Sequence, residues 1–488
     1  MNYRFASLRA VAIASVFGLT LSACGKNDDA APDTETEVAA PVEAAELQPH
    51  QEMAREILRE LVAIDTTQAG DTTVAAKAIE ARLLAEGFPA EDIHVLGPAE
   101  DRGNLVVRYR GRDTGRPALL LLAHLDVVPA DPGDWELDPF TLHELDGYFI
   151  GRGTRDDKDD AAVFIANLVR LKKEGFQPDR DIIVALTADE EAGNFNGVRW
   201  LLENHRELIE AEYALNEAGD GNLQNGQHIS NNVQATEKIY LDYQLTTTHP
   251  GGHSSRPQSE NAIYKLSAAL LRIESHQFPV ALNETTRLFF ERSAELVEAE
   301  LAAAMRGVVQ SPMDPAAVAY LSQQPYYNAL LRTTCVATQV DAGHAPNALP
   351  QRATAIVNCR MVPTETAESV VQTLTTVIGD PDIEISNLWP EMTSPPSPLT
   401  ADVLGPIEEL TEERWPGVPV IPIMGAGATD AIYLRNAGIP VYGVSGTFYD
   451  IDHDTRHGLN ERVLVSSFFE GQEFMYDLTK RLSSSDHE

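Results

Sequence analysis

The chain has 488 residues, with 37 basic and 74 acidic side chains and a formal net charge of −37. That length provides enough material for more than one domain. The acids are spread along the chain, which excludes binding of nucleic acid or anionic lipid through a basic face and indicates a solvated acidic surface.

The N-terminus is predicted to be an export signal. Arg4 and Arg9 precede an apolar stretch over residues 10–23, which is shorter than the roughly 20 residues that a membrane-spanning helix needs. The stretch ends in Leu21-Ser-Ala-Cys24-Gly25, which resembles a bacterial lipobox. Residues 1–23 are therefore predicted to be a lipoprotein signal peptide, the alternative being an ordinary signal peptide that contains Cys24.

A residue other than aspartate after the lipidated cysteine is typical of the outer membrane in Gram-negative bacteria. Gly25 thus predicts a periplasmic protein that contacts the membrane only through a lipid anchor at Cys24. Residues 24–47 are rich in Ala, Pro, Thr, Glu and Asp and cannot bury a core, so they are predicted to be a flexible tether.

The body alternates strand-like and helical patterns. Helices are predicted within 52–86 and over 161–173 and 198–210, and strands over 104–109, 118–123, 181–186, 213–215, 418–422 and 441–444. Such alternation predicts an α/β fold with a mostly parallel sheet sandwiched by helices.

The segment 237–390 does not follow this alternation of strands and helices. Its patterns follow the order β-α-β-β-α-β of a ferredoxin-like unit, with an additional helical stretch at 285–309. The sequence therefore predicts an inserted α+β domain, here called the lid, between the catalytic parts 48–236 and 391–488. Cys335 and Cys359 fall in two lid strands that flank a turn near Asn347, where either a disulfide or two buried thiols would fit.

The most informative segment is the apolar run 119–123 followed by His124-Leu-Asp126. A buried parallel strand would deliver the histidine at its carboxyl end, where open α/β sheets place their sites. Asp126 lies on the same side of an extended chain and is suited to receive the second imidazole N–H.

Further acids and a second histidine follow other turns and strands. They lie in Gly151-Arg-Gly-Thr-Arg-Asp156-Asp-Lys158, in Asp189-Glu190-Glu191, in Asn216-Glu217 and in His457-Gly-Leu-Asn-Glu461. Each segment alone fits a helix cap or a solvated loop. Together, two histidines and three acids at strand ends of one sheet suit a pair of divalent ions, most simply zinc.

In these motifs and in their order the chain resembles the M20 metallopeptidases. This family includes aminoacylases, succinyl-diaminopimelate desuccinylases, glutamate carboxypeptidases and carnosinase-type dipeptidases. The resemblance also covers Trp135…Asp138-Pro-Phe140 and Gly251-Gly-His253-Ser-Ser. The chain looks most like the vacuolar carboxypeptidase and N-acyl-amino-acid hydrolase branch.

The resemblance implies a zinc exopeptidase-like fold and two Zn²⁺ ions, for which Co²⁺ or Mn²⁺ could substitute. One ion would be held by His124 and Glu217 and the other by Glu191 and His457, with Asp156 between them. Asp126 would orient His124, and Glu190 would be the general base and then the acid. His253 would stabilise the oxyanion in a partner's site, which implies a homodimer formed through the lid.

Substrate contacts are also implied by the resemblance. Asn347, Gly427 and Thr429 match positions that line the cleft in relatives. Arg360 has a planar fork suited to a substrate carboxylate, and an ordinary surface arginine is an equal alternative.

Three positions depart from the family pattern. Asp157 and Asp159 replace a hydrophobic residue and a glycine, and their charges could either alter metal preference or point into solvent. Asn216 occupies the position where some members have an aspartate ligand, so Glu217 must be the metal ligand here. His453 is a nearby competitor for His457.

The predicted function is therefore amide-bond hydrolysis by a di-zinc exopeptidase (a carboxypeptidase or dipeptidase) on short peptides with a free carboxyl end. N-acyl-amino-acid deacylation is the alternative, because the same machinery serves both. A binding lipoprotein without activity is a third hypothesis, and the presence of Glu190 and all five ligands disfavours it. The closing glycine of a serine-hydrolase elbow is missing after Ser445, and no HExxH segment occurs.

Overall fold

The computed structural model describes residues 46–113, 115–191, 194–388 and 392–484. The predicted signal peptide, Cys24 and the tether up to residue 45 lie outside these residues. The described residues from Leu47 onward form one compact unit. Within the described ranges, no helix combines the length and apolarity that crossing a bilayer requires.

The first part of the chain alternates helices and strands. Its elements are α1 (Pro49–Val62), α2 (Thr72–Ala85), β1 (Ile93–Leu96), β2 (Asn104–Tyr109), β3 (Ala118–His124), β4 (His143–Leu145), β5 (Tyr148–Ile150), α3 (Lys158–Lys173), β6 (Ile182–Thr187), α4 (Gly197–Asn204), α5 (Arg206–Ile209), β7 (Ala211–Asn216), β8 (Gly221–Gln224) and β9 (Gln227–Glu237). The long strand β9 and its hairpin partner β8 were not predicted from the sequence.

The middle part contains the predicted β-α-β-β-α-β series together with several helices. Its elements are β10 (Ile239–Thr248), β11 (Gly252–His253), α6 (Ala262–Ser275), α7 (Glu284–Ser293), α8 (Ala299–Val309), α9 (Pro315–Leu321), α10 (Pro325–Leu331), β12 (Thr334–Ala342), β13 (Ala348–Leu349), β14 (Arg352–Met361), α11 (Ala367–Ile378) and β15 (Glu384–Asn387). The helical stretch predicted at 285–309 is thus two helices, and α9 and α10 extend it.

The last part returns to the main sheet. Its elements are α12 (Ala401–Arg414), β16 (Val420–Gly425), α13 (Ala431–Asn436), β17 (Val441–Gly443), β18 (Phe448–Asp450), β19 (Arg462–Leu464) and α14 (Val465–Ser483).

A ten-stranded sheet forms the centre of the described structure, in the order β1-β2-β6-β3-β7-β17-β9-β8-β18, with β16 beside β9. Its middle is parallel: β3 pairs in parallel with β6 and β7, and β7 with β17. The carboxyl ends of β3, β6 and β7 therefore meet at one edge of the sheet.

The apolar run of β3 is explained by burial on both faces of this sheet. Leu119 and Leu121 pack in a core with α1, α3 and α14, whereas Leu120 and Leu122 pack in a second core with α4 and α13. In a strand that is buried on both faces, the side chains on either side lie in the core, so no position needs to be polar. This explains why the sequence of β3 is an uninterrupted hydrophobic run. The predicted α/β sandwich is confirmed.

The lid strands form a separate four-stranded sheet, in the order β12-β14-β10-β15. Helices α6 and α11 cover one of its faces and share a core with it that includes Leu241, Val357 and Leu374. Cys335 and Cys359 lie directly opposite each other on β12 and β14 and form a disulfide. Helices α7 to α10 pack in a further core against β16, through residues such as Phe290, Met305 and Ile421.

Candidate metal centre

The predicted ligands come together at the edge where β3, β6 and β7 end. His124 is the last residue of β3 and pairs in register with Thr187, the last residue of β6, which leads directly to Glu190 and Glu191. Glu217 follows β7. The fold thus brings together side chains that are distant in the sequence because parallel strands end at the same edge.

Asp156 stands between the two histidines. Its Oδ1 lies 2.9 Å from Nε2 of His124, and its Oδ2 lies 3.1 Å from Nε2 of His457. One carboxylate that presents an oxygen to each imidazole has the arrangement required of a ligand shared by two ions.

The other predicted ligands lie near the two histidines. Glu191 Oε1 lies 2.8 Å from His457 Nε2, and Glu217 Oε1 lies 3.9 Å from His124 Nε2. Two sets of side chains have ligand atoms within 4.8 Å of one another: His124 with Glu190 and Glu217, and His124 with Asp156 and Glu191. His457 is half-exposed, so the centre opens to solvent on its side.

The pKa values of the ionisable side chains in the centre are shifted in the way expected of a cation site from which the cations are left out. Burial raises the pKa of Glu190 and Glu191, and it raises that of Glu217 to about 8; neighbouring carboxylates add to each shift. The Asp156 hydrogen bond is the main cause that raises the pKa of His457 to about 9. Glu191 Oε1 is buried and accepts no hydrogen bond despite its closeness to His457.

Carboxylates crowded in this way are stable together only with protons or cations between them. Imidazole nitrogens and carboxylate oxygens are ligands for Zn²⁺ and for other divalent transition metals in proteins. The residues present therefore fit a pair of divalent ions.

Asp126 contacts His124 in a different way from the one predicted. Nδ1 of His124 lies 2.9 Å from the main-chain carbonyl oxygen of Asp126, while the carboxylate is 3.7 Å from this nitrogen. The carboxylate instead accepts hydrogen bonds from the main-chain N–H groups of Glu190, at 3.1 Å, and Glu191, at 2.9 Å. Asp126 thus holds the turn that carries both glutamates.

Neither Asp157 nor Asp159 points into solvent, which removes one of the two alternatives for these positions. Asp157 is buried, and its Oδ2 accepts the main-chain N–H of His124 at 3.0 Å. Asp159 is also buried and accepts the Tyr449 hydroxyl at 2.7 Å; burial raises its pKa to about 7.

The segment around His457 is held by a buried ion pair. Glu461 pairs with Arg152, and its Oε1 accepts the main-chain N–H groups of Gly153, at 3.1 Å, and Arg155, at 2.8 Å. Glu461 thereby fastens the loop that carries Asp156. The competitor His453 is exposed and faces Asp450 at 3.4 Å, whereas His457 contacts Asp156 and Glu191.

His253 and Asn347 lie side by side on the lid. Strands β11 and β13 pair, and the Ser254 N–H donates to the Asn347 carbonyl at 3.0 Å. The His253 Nδ1 accepts the Ser255 N–H at 3.1 Å. Both residues are exposed and lie outside the two ligand sets.

The other predicted substrate residues have these surroundings. Arg360 stacks on the Tyr240 ring at 4.5 Å, and burial lowers the pKa of its guanidinium. Gly427 is exposed in the loop after β16. Thr429 donates from its N–H and its hydroxyl to Oε2 of Glu237, both at 3.0 Å, so its side chain anchors this loop.

Asp430 is a neighbour of the centre that the sequence analysis did not assign. Its Oδ2 accepts the Thr187 hydroxyl at 3.1 Å, and Asn196 donates to its Oδ1. Burial raises its pKa to about 6, and the charge of His124 opposes that shift. Its place beside Thr429 was the sequence signal for it.

A parallel-sheet edge that gathers two imidazoles around a shared carboxylate defines a class of hydrolases that use two metal ions together. Residues 120–481 match Peptidase family M20/M25/M40, and the chain belongs to this family.

Three similar proteins illustrate the range of the family. The N-fatty-acyl-amino acid synthase/hydrolase PM20D1 of Xenopus tropicalis is 33% identical over 363 residues, which is 73% of this chain and 70% of that protein. The M20 family metallo-carboxypeptidase Sso-CP2 of Sulfolobus solfataricus superposes with a TM-score of 0.67 at 17% identity, covering 88% of this chain and 99% of that one. The YXEP protein of Bacillus subtilis, a dinuclear metal binding peptidase, superposes with a TM-score of 0.57 at 13% identity, covering 89% and 98%.

Proposed function

We propose that this protein hydrolyses the amide bond between an amino acid with a free carboxylate and the aminoacyl or acyl group on its nitrogen. The observation that carries the proposal is the position of Asp156, with one oxygen toward each of His124 and His457. Short peptides with a free carboxyl end are the first substrate class, in keeping with the metallo-carboxypeptidase of similar fold.

The proposed ions are two Zn²⁺. His124 and Glu217 would hold one, Glu191 and His457 the other, and Asp156 both. When bound, such ions polarise the scissile carbonyl and lower the pKa of the attacking water.

The side chains of this chain perform the proton transfer. Glu190 takes a proton from the attacking water, whose oxygen forms a bond to the carbonyl carbon. The C–N bond then breaks, and Glu190 delivers the proton to the leaving nitrogen. The hydrogen bonds from the Glu190–Glu191 turn to Asp126 keep this base fixed beside the ligands.

N-acyl amino acids are the second candidate class. The similarity to an N-fatty-acyl-amino acid synthase/hydrolase favours them. The proposal also includes a homodimer formed through the lid, in which His253 would serve the partner's site, and a periplasmic lipid anchor at Cys24.

The experiment compares Glu190→Gln with Glu203→Gln, an exposed glutamate on α4. Both variants and the wild type are loaded with Zn²⁺ and assayed on a panel of dipeptides and N-acyl amino acids. We expect Glu190→Gln to retain two equivalents of metal and to lose at least about 100-fold in kcat, the lower range for a general base. Undiminished turnover of Glu190→Gln would show that Glu190 is not the general base. A wild type that cleaves no substrate of the panel would overturn the proposed function.

A further inference from the structure

A cavity of 190 Å³ in the lid, here called the lid cavity, lies between the end of α6 and the segment that follows it, α10, the start of β12 and α11. None of the proposed metal ligands lines it. For comparison, an apolar cavity of about 150 Å³ in a protein core holds a benzene molecule. The volume of the lid cavity therefore suits one small molecule of about the size of a single amino acid.

Arg332 lines the lid cavity and is only 5% exposed. Its guanidinium donates to Gln277 Oε1 at 3.1 Å, to the Phe278 carbonyl at 3.2 Å and to the Ser322 hydroxyl at 2.8 Å, all of them neutral oxygens. In the described part of the chain, no carboxylate pairs with this guanidinium and its Nε has no hydrogen-bond partner; burial lowers its pKa. Because a buried charge without a counter-charge is unfavourable, a carboxylate that a ligand brings to Arg332 would be stabilised there.

Two other buried polar atoms of the lining have no partner within the residues that the structure describes. They are Oδ1 of Asn328 and Nε2 of His276. The amide oxygen accepts hydrogen bonds, and the imidazole nitrogen either donates or accepts. Buried polar atoms of native proteins almost always have partners, so a ligand that carries both donors and acceptors would complete this lining.

The rest of the lining supplies an acid and an apolar surface. Glu274 is exposed and lines the lid cavity beside the end of α6. Ile273, Phe278 and Leu374 belong to the core of the lid, and Val377 packs against that core. One cation, one anion and an apolar surface match the carboxylate, the ammonium and the side chain of a zwitterionic amino acid.

We infer that the lid cavity binds one free α-amino acid with an apolar side chain, such as leucine. Arg332 would hold its carboxylate, Glu274 and Asn328 its ammonium, and Ile273 and Leu374 would contact its side chain. A simple anion would instead place a second negative charge near Glu274 and leave that carboxylate without a partner. The inference goes beyond the proposed function and stands on the lining of the lid cavity alone, although the proposed hydrolysis would release a ligand of this class.

The first experiment locates the site by calorimetric titration of leucine into the metal-loaded protein. Val377→Phe fills the lid cavity, and Val371→Phe is its control, because Val371 is also half-buried on α11 and packs against the same core without lining the cavity. We expect Val377→Phe to bind leucine at least about tenfold more weakly and Val371→Phe to bind it like the wild type. Absence of leucine binding by the wild type, or equal binding by all three proteins, would overturn the assignment.

A variant of the metal centre separates the two places where leucine could bind. His457→Ala should bind leucine as tightly as the wild type, because His457 does not line the lid cavity. Loss of leucine binding in His457→Ala would place the amino acid at the metal centre and overturn the inference.

The second experiment tests the charges of the ligand by titrating analogues into the wild type. Leucinamide lacks the carboxylate, 4-methylpentanoate lacks the ammonium, and inorganic phosphate is an anion without an apolar group. Hydrogen bonds to charged groups are the stronger ones, so we expect each analogue to bind at least about tenfold more weakly than leucine. An analogue that binds as tightly as leucine would overturn the amino-acid assignment, and phosphate that displaces leucine at equal concentration would identify a site for anions only.

Further variants assign the two charges to residues. Arg332→Gln should weaken the binding of leucine and of 4-methylpentanoate alike, but it removes hydrogen bonds of a buried side chain and therefore also lowers stability. The exposed Glu274→Gln avoids this effect: it should weaken leucine binding at least about tenfold and leave 4-methylpentanoate binding unchanged. Glu384→Gln, at an exposed glutamate on β15 outside the lining, should change neither. Wild-type affinity of Glu274→Gln for leucine would overturn the inference, and none of these measurements depends on turnover.

Discussion

The carboxylate of Asp126 accepts a hydrogen bond from the main-chain N–H of Glu190 at 3.1 Å, which ties the end of β3 to the turn that carries the proposed base. A second bond, from the Glu191 N–H, completes the contact. Asp126 therefore affects the reaction through Glu190 and Glu191. Its substitution should lower kcat more than it lowers the stability of the fold.

We expect Asp126→Asn to lower kcat/KM by about 10- to 100-fold in metal-saturated enzyme, the usual effect of losing a partner that orients metal ligands. The amide has one acceptor oxygen for two N–H donors, so the turn loses one of its bonds. Asp181→Asn is the control, because Asp181 is also buried and bonds to Arg108 and the Gly111 N–H just before β6, at the end of the strand away from the centre. A loss of activity as large in the control as in Asp126→Asn would contradict the positioning role.

The loop that carries Gly427 and Thr429 depends on a buried ion pair. Glu237 lies 3.1 Å from Arg435, and both side chains are almost completely buried. Glu237→Ala should lower the free energy of unfolding by about 3–5 kcal/mol, because it leaves the guanidinium buried without a counter-charge. The double variant Glu237→Ala/Arg435→Met should recover most of this loss in urea unfolding; if it is as unstable as the single variant, the charge is not the cause.

Much of the candidate metal centre could be predicted from the sequence because the ends of buried strands can be recognised from the pattern of apolar residues. An apolar run that stops at His124 marks a strand buried on both faces, and parallel strands in one sheet must end together, which places Glu191 and Glu217 beside it. Local pattern and sheet geometry predict that these acids lie near His124. Their roles as metal ligands, and those of Asp156 and His457, were implied by the resemblance to the M20 metallopeptidases.

What could not be predicted depends on contacts across long separations. Tyr449, the partner of Asp159, is 290 residues away, so the sequence could not show whether that aspartate is buried. Likewise, the choice of His124 Nδ1 between the carbonyl and the carboxylate of Asp126 depends on where the Glu190 turn lies.

The disulfide between Cys335 and Cys359 should stabilise the lid sheet. It closes a loop with a sequence separation of 24, for which the chain-entropy relation gives about 3.5 kcal/mol. We expect the variant Cys335→Ala/Cys359→Ala to lose about this free energy of unfolding in urea titrations. Reducing agent should destabilise the wild type similarly and leave the double variant unchanged, and equal sensitivity of the two proteins to reductant would contradict the assignment.

The two nearby histidines should differ in their effect on metal content. His457 contacts Asp156 and Glu191, whereas His453 faces Asp450. His457→Ala should therefore retain one tightly bound equivalent of metal and His453→Ala two, as measured by elemental analysis after dialysis. Chelation of the wild type should lower its free energy of unfolding, since ions that bind only the native state at 100 times their Kd stabilise it by about 2.7 kcal/mol. Two equivalents in His457→Ala would assign the second ion to other ligands.

Lys238, at the junction of β9 and β10, should make stability depend on pH. Burial lowers its pKa to about 7 in the native protein, where Nζ donates to the Arg332 carbonyl at 2.8 Å. Between pH 7 and the ordinary lysine pKa of about 10.4, the unfolded chain binds a proton that the native state does not, so stability rises with pH by at most about 1.4 kcal/mol per unit. We expect the difference in free energy of unfolding between wild type and Lys238→Met to shift in favour of the wild type from pH 7 to pH 9. The same comparison with Lys173→Met, a half-exposed lysine, should show no such shift. A difference for Lys238→Met that stays constant over this range would show that Lys238 keeps its proton in the native state.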